Sequence, residues 1–313
     1  MSEAPTDYRQ YLDPRVLARI GGLDLRARLV VEGLMTGLHR SPYQGASVEF
    51  AQHRPYVAGD DIRHLDWKVY GKTDKLYLKQ YQQETNLHLI LVVDASESMG
   101  FGSVASGPRS DGGKVWTKYD HATAIAASLA HLAIQQQDSV GLAIFDQVLS
   151  RYFKPSNSPG QWKLVVNELQ VVPRWNKTGT GKVLDQLAEK LHHRSLILLL
   201  SDLFDDAEGI AEGLRHLKFR KHDIIVFQIL DPQEIEFPFE EVTKFKGLED
   251  AGELLTEPRA LRDGYLEQLR QFTDNLKRIC RGMRVDFQRF SSGDTLDVAL
   301  SRFLATRAAS LKT

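Results

Sequence analysis

The 313-residue sequence predicts an α/β protein built on a doubly wound, mostly parallel sheet, with an N-terminal extension packed on it. Three observations lead there. Four short apolar runs of mostly branched residues, Leu87–Val93, Val140–Phe145, Leu196–Leu200 and Ile224–Leu230, have the length and composition of buried strands. Helical periodicity fills much of the sequence between them, and that alternation is the pattern of a parallel sheet covered on both faces. Two of the runs release into acids: Asp94-Ala95-Ser96-Glu97-Ser98 follows the first, and Ser201-Asp202 follows the third. In open α/β sheets the ligand crevice lies at such carboxyl ends.

In chain order, residues 1–12 read as a loose tail. Asp13-Pro14 is a helix start, with Asp as cap and Pro in the first turn. Val16, Ile20 and Leu23 continue at helical spacing up to Gly21-Gly22, where a bend is expected, and Val30, Val31, Leu34 and Leu38 form a second apolar stripe. From Ser41 to Thr85 the pattern changes to short extended pieces, with Gly59-Asp60-Asp61 as a turn and Leu76–Tyr81 as a strand. This stretch has too few apolar residues for a core of its own. The expected division is therefore residues 1–85 as a helical and extended segment and residues 86–313 as the α/β domain.

Within that domain the helix near Tyr119–Gln137 places Ala122, Ile125, Ala126, Leu129, Leu132 and Ala133 on one face. Val148–Phe153 follows its predecessor after a two-residue turn, a connection that only an antiparallel pair can make, so it is expected as the sheet's single antiparallel edge strand. Val183, Leu184, Leu187 and Leu191 mark a helix after Thr180, and Leu261, Tyr265, Leu269, Phe272, Leu276 and Ile279 a long one over Pro258–Cys280. Val285–Phe290 gives a last strand and Asp297–Leu304 a last helix. Gly100–Lys118, rich in glycine and serine, fits no element and reads as a flexible loop beside the first strand's carboxyl end.

Composition narrows the function classes. A net charge of −1 gives no steering toward nucleic acid or anionic lipid. The single cysteine, Cys280, excludes an intrachain disulfide and a cysteine-built zinc site, and falls on an apolar helix face. The polar N-terminus lacks a signal-peptide core, and no window approaches the roughly 18 apolar residues of a membrane helix. A cytoplasmic location is expected.

The chemistry centres on oxygen ligands. Asp94, Ser96 and Ser98 offer three oxygens at alternate spacing, which suits a hard divalent cation. The alternative is that Ser96 and Ser98 merely cap the following chain and Asp202 caps a helix. Thr178-Gly179-Thr180-Gly181 opens a helical pattern, so the order is Asp-x-Ser-x-Ser, a Thr at a glycine-rich turn, and an Asp after a strand. This resembles the metal-ion-dependent adhesion site of von Willebrand factor A domains, with Asp94, Ser96, Ser98, Thr180 and Asp202 matching position by position. The resemblance implies a von Willebrand factor A-like, Rossmann-like fold and an Mg²⁺ ion, with Mn²⁺ or Ca²⁺ as alternatives. Two carboxylates and three hydroxyls form a weakly charged cage, and Mg²⁺ readily keeps an open position. The resemblance further implies that an acidic residue of a partner protein fills it.

A second resemblance covers the chain from about Leu25 onward. Gly45, Glu49-Phe50, Arg54, Tyr56, Gly59-Asp60-Asp61, Arg63, Asp66-Trp67-Lys68 and Glu84 follow a spacing similar to that of bacterial proteins of unknown function with a von Willebrand factor A-like domain, often encoded beside MoxR-type AAA+ ATPases. That resemblance implies an ATPase partner. Many relatives carry membrane helices ahead of this block; none is expected here. The Gly59–Trp67 block reads either as a partner- or nucleotide-binding surface or, more simply, as a turn with Arg54 or Arg63 paired to an internal carboxylate and Trp67 in the core.

Enzyme motifs fail. There is no Gly-x-Ser-x-Gly elbow, no phosphate loop and no Gly-x-Gly-x-x-Gly after a strand. His121, His131, His192 and His193 show no metal-ligand spacing, and His64 is a lone histidine near two aspartates. No catalytic residue is nominated. The function expected is a metal-dependent protein-binding adaptor working with a MoxR-type ATPase in complex assembly or remodelling. The alternatives are an Mg²⁺-dependent hydrolase using Asp94 and Asp202 around the ion, and a structural subunit with no metal dependence.

Overall fold

The structure, a computed structural model, describes residues 13–17, 23, 25–31, 53–55, 70–71, 76–79, 87–105, 115–171, 173, 176–241, 243–246 and 253–310. The chain divides into two compact units, one of residues 1–40 with 87–313 and one of residues 41–86. The sequence grouped residues 1–85 together, whereas here residues 1–40 go with the larger unit. The reason is apolar burial: Leu17, Leu23, Ala27, Val30 and Val31 lie in the same core as the main sheet.

That sheet has six strands: β1 (His88–Asp94), β2 (Ser139–Phe145), β3 (Leu149–Ser156), β4 (Leu196–Ser201), β5 (Asp223–Leu230) and β6 (Asp286–Ser291), in the order β6-β5-β4-β1-β2-β3. All neighbours pair in parallel except β2 and β3, which are antiparallel as expected, although the turn between them is three residues, Asp146–Val148, rather than two. Strand order reverses between β1 and β4. That is the order of doubly wound dinucleotide-binding sheets, in which the reversal opens a crevice at the carboxyl ends.

Alternation within the strands builds two cores. Leu89, Leu91 and Val93 of β1 face one, with Leu196, Leu198 and Leu200 of β4 and Ile225, Phe227 and Ile229 of β5. Helix α1 (Lys118–Gln135), α2 (Gln161–Leu169) and α7 (Leu296–Ser310) cover that face. Ile90, Val92, Ile197, Leu199, Ile224 and Val226 point the other way, under α3 (Thr180–Lys190), α4 (Ala207–Phe219) and α6 (Pro258–Gly282). Each fully buried aliphatic side chain contributes about 1.5–3 kcal/mol over its exposed state. Cys280 is buried in the second core, and burial pushes its thiol up to about 12, so it is inert packing.

Caps set where helices start. Thr117 and Asp120 form a reciprocal capping box on α1, and Asp231 and Glu234 form another on the short α5 (Pro232–Glu236). Asp206 caps α4 through Glu208 N and Gly209 N. The Gly100–Lys118 expectation is corrected at both ends. Val104–Ala105 pairs antiparallel with Val115–Trp116, Trp116 is buried, and Ser103 N donates to Asp231 Oδ2 at 2.9 Å. A buried indole and a carboxylate anchor outweigh the loop-like composition. Residues 106–114 lie outside the described residues.

In the smaller unit, His53–Pro55 pairs antiparallel with Tyr77–Lys79, inside the stretch read as a strand over Leu76–Tyr81. The Gly59–Trp67 block, Gly45, Glu49-Phe50, Tyr56, His64 and Glu84 lie outside the described residues. Among the described residues no helix is long and apolar enough to cross a membrane.

Candidate functional site

Because β1 and β4 are neighbours at the reversal, their carboxyl ends deliver Asp94 and Asp202 to one end of the sheet. Asp94 is the last residue of β1 and Asp202 the first beyond β4, and both are fully buried. After Asp94 the chain turns tightly. Ser96 N donates to Asp94 Oδ1 at 2.9 Å, and a single 3₁₀ turn, Glu97–Gly100, follows. The turn brings the Ser96 and Ser98 hydroxyl oxygens to 3.1 Å from each other. Ser201 Oγ donates to Asp94 Oδ2 at 2.5 Å and accepts from Leu203 N at 2.9 Å, tying the two strand ends together. Asp202 Oδ1 accepts from Phe204 N at 3.2 Å.

Thr180 is the first residue of α3, and its two glycine neighbours explain how it reaches the site. A Cβ on Gly179 would stand 2.6 Å from the Gln147 carbonyl oxygen, and one on Gly181 would stand 2.6 Å from the backbone of Gly209 in α4. Only glycine permits both approaches. Three bonds hold the turn against the other loops: Glu97 N donates to Asn176 O at 2.8 Å, Gly179 N to Asp146 O at 3.1 Å, and Thr180 N to Asp205 Oδ2 at 2.7 Å. Thr180 is fully buried, and among the described residues its Oγ1 has no hydrogen-bond partner. A buried hydroxyl left unmatched costs about 1–3 kcal/mol, so its persistence calls for an explanation.

Electrostatics single out the same place. Burial, then the charge of Asp202, pushes the Asp94 carboxyl up to about 7 against the hydrogen bonds from Ser201 and Ser96. Lys118, the first residue of α1, is also fully buried. Its Nζ lies 2.8 Å from Asp202 Oδ2 and 2.6 Å from Glu234 Oε1. Burial pulls this ammonium toward neutrality, but Asp202 and Glu234 outweigh it, and Lys118 stays charged well above its ordinary range. Burial also raises the Glu234 carboxyl, with Lys118 opposing.

The five positions nominated from sequence therefore share the carboxyl edge of the sheet: Asp94, Ser96 and Ser98 on the loop after β1, Thr180 at the head of α3, and Asp202 after β4. Two carboxylates and three hydroxyls form a hard-oxygen set, and the unmatched Thr180 oxygen fits a cation ligand better than a capping role. Among the described residues no group of three or more His, Cys, Asp or Glu side chains is arranged for a metal, so hydroxyl oxygens are essential to any cation bound here.

Sequence reading missed Lys118, Glu234 and Asp205. Glu234 had a legible signal, since Asp231-Pro232-Gln233-Glu234 is a capping box with Pro at its first position. Lys118 had none, because its partners are 84 and 116 residues away. Two of the described histidines are held by aromatic neighbours. His121 is buried in α1, where burial depresses its imidazole to about 3, and Trp116 Nε1 donates to its Nδ1 at 3.4 Å. The His131 ring packs on Trp162 at 4.8 Å.

Comparison with known proteins places the chain among relatives of unassigned role. It is 24% identical over 292 residues to an uncharacterized protein of Mycobacterium tuberculosis (strain ATCC 25618 / H37Rv), Rv1480, covering 92% of this chain and 81% of that one. The uncharacterized protein Mb1516 of Mycobacterium bovis matches over the same lengths at the same identity. Among solved structures, the conserved hypothetical protein BatB from Bacteroides thetaiotaomicron aligns over 72% of this chain and 99% of its own, at 12% identity and a TM-score of 0.44. An aerotolerance-related membrane protein from Bacteroides fragilis aligns over 69% and 96%, at 13% identity and a TM-score of 0.45. Residues 52–274, more than half of the chain, match the family described as protein of unknown function DUF58, and the chain belongs to that family.

Proposed function

We propose that this chain is a metal-dependent protein-binding adaptor of von Willebrand factor A-like type. In this reading Asp94, Ser96, Ser98, Thr180 and Asp202 hold one Mg²⁺, directly or through water. One observation carries it: the Thr180 hydroxyl is buried with no partner among the described residues, beside loops that also present two carboxylates and two serine hydroxyls. When bound, the ion would supply an electrophilic position for a carboxylate of a partner protein. The chain's own part is to preorganise the set. Ser201 and the Ser96 amide orient Asp94, and Asp205 fixes the head of α3. The partner we propose is a MoxR-type AAA+ ATPase in the cytoplasm, acting in assembly or remodelling of protein complexes. The residue spacing between Gly45 and Lys68 supports that name, and it is an argument by resemblance alone.

The test is Thr180→Val. Valine fills nearly the same volume and removes the unmatched oxygen. Metal-free T180V should be at least as stable as wild type in urea, by up to about 1 kcal/mol, because a desolvated hydroxyl is gone. Calorimetry should show that its Mg²⁺ affinity falls at least about tenfold. A variant that loses stability and keeps its Mg²⁺ affinity would refute the metal reading. Capture of a MoxR-type ATPase by wild type, lost in EDTA and in D94A, would establish the partner.

A further inference from the structure

Lys118 is a fully buried cation at this edge that the five-residue set does not use. Its placement runs against two ordinary preferences. A lysine is almost never fully buried unless paired, and a cation in the first turn of a helix opposes the helix dipole. Yet Lys118 opens α1, is fully buried, and puts its ammonium between Asp202 Oδ2 at 2.8 Å and Glu234 Oε1 at 2.6 Å. The rings of Phe204 and Phe101 close over it, with centroids 5.1 and 6.0 Å from Nζ.

The two carboxylates are not equivalent. Asp202 belongs to the cation set. Glu234 is held elsewhere, by the capping box of α5, where its Oε2 accepts from Asp231 N at 2.7 Å. Asp231 in turn accepts from Ser103 N and from Ser292 Oγ, so Glu234 sits on a fixed scaffold. An ammonium bridging one cation ligand and one fixed acid can shift its weight between them without leaving the protein interior.

We propose that Lys118 is a built-in monovalent counter-ion that sets the strength of this divalent-cation site: it holds Asp202 when no divalent ion is bound, and gives it up toward Glu234 when one is. The inference rests on the metal reading above and names how that site is tuned. Its logic is charge. Asp94, Asp202 and Glu234 bring three carboxylates against one ammonium. Lys118 lets the strand ends close before any metal arrives, because Asp202 is never left alone in low dielectric. The same charge repels an incoming dication and weakens its hold. A dication bound near this buried ammonium therefore stays electron-poor and depends more on an added anion.

The two residues should act with opposite sign. Removing the ammonium in Lys118→Met should tighten Mn²⁺ binding at least about tenfold. Removing the alternative acid in Glu234→Gln confines Lys118 to Asp202 and should loosen Mn²⁺ several-fold. A purely structural ion pair would be damaged either way and would give both variants the same sign. The experiment is calorimetric titration of Mn²⁺ into the full chain at neutral pH for wild type, K118M, E234Q and the K118M/E234Q double variant. Near-UV circular dichroism checks each fold. The double variant strands one acid rather than two, so it keeps the test alive if K118M fails to fold, and it too should bind more tightly than wild type. K118M binding Mn²⁺ where wild type shows none is the same effect at its limit. Equal affinities, or shifts of the same sign in K118M and E234Q, overturn the proposal. Binding by neither wild type nor K118M overturns the metal reading itself.

Discussion

The two edges of the central sheet are built by different means. At the amino-terminal edge, three helix-to-strand turns are the same object. After α1, α4 and α6 the chain closes with paired backbone bonds: Gln137 N to Ile134 O and Asp138 N to Ala133 O, Lys221 N to Lys218 O and His222 N to Leu217 O, Arg284 N to Arg281 O and Val285 N to Cys280 O. Each is a Schellman cap with one left-handed residue, and each feeds β2, β5 or β6 one residue later. Backbone bonds close all three. At the carboxyl edge the repeated device is a side chain: Asp94, Asp202 and Asp231 each accept from the backbone amide two residues on. The loops after β1, β4 and β5 are held by the buried side chains of Asp94, Asp202 and Asp231. Backbone caps cost little, whereas buried carboxylates are expensive to desolvate. Asp138 in the first amino-terminal turn is buried as well, but at the carboxyl edge Asp94, Asp202 and Asp231 form the turns themselves, so the expense of buried charge is concentrated there.

Breaking the carboxyl edge should therefore cost far more than breaking the other. The largest effect is expected from Lys118→Met in metal-free protein. It strands Asp202 and Glu234, both in contact with the ammonium, and removing one partner of a buried pair costs about 3–5 kcal/mol. Urea unfolding in EDTA reads this directly, and a loss below about 1 kcal/mol would place Lys118 with ordinary surface pairs. Added Mn²⁺ should recover more stability in this variant than in wild type.

A second effect is in pH. The Asp94 carboxyl stands at about 7 in the folded chain, raised from the ordinary 3.8 by burial and by Asp202. Between those values the folded state holds a proton that the unfolded state has lost. The contribution of Asp94 is therefore fullest below about pH 4 and is lost as pH rises toward 7. Asn at this position cannot titrate. In EDTA, the stability of wild type relative to Asp94→Asn should fall between pH 4.5 and 7 and level off above it. Melting curves that stay parallel across that range would show that Asp94 is not held protonated. Saturating Mg²⁺ should shrink the pH-dependent loss in wild type, since a cation favours the charged carboxylate.

The same contrast explains what was legible in the sequence. Strands β1, β2, β4 and β5 announced themselves as apolar runs because they are buried on both faces, and β3 through the short turn before it. Asp94, Ser96, Ser98, Thr180 and Asp202 were legible because their spacing is local to strand ends and a glycine-rich turn. Lys118 was hidden at the end of a glycine- and serine-rich stretch that reads as a loop. The buried Trp116 and the Ser103–Asp231 bonds that anchor its two ends are long-range facts. Helix α2 was overlooked because it spans only Gln161–Leu169 and follows Pro155 and Pro159. The three Schellman turns were silent for another reason: none carries the glycine that usually marks them.

That last absence gives the smallest prediction and the sharpest control. Gln137, Lys221 and Arg284 sit at φ 62°, 64° and 53°. A non-glycine residue in this region is strained by roughly 1–2 kcal/mol, partly offset because glycine loses more freedom on folding. Lys221→Gly should therefore stabilise the chain by about 0.5–1 kcal/mol, and the triple variant with Gln137→Gly and Arg284→Gly by roughly the sum, since the sites are separate turns. Their backbone bonds stay intact, so Mg²⁺ affinity should match wild type within error in calorimetry. A change in metal affinity on substituting these turns would mean that the two edges communicate, and the division of labour drawn between them would fail.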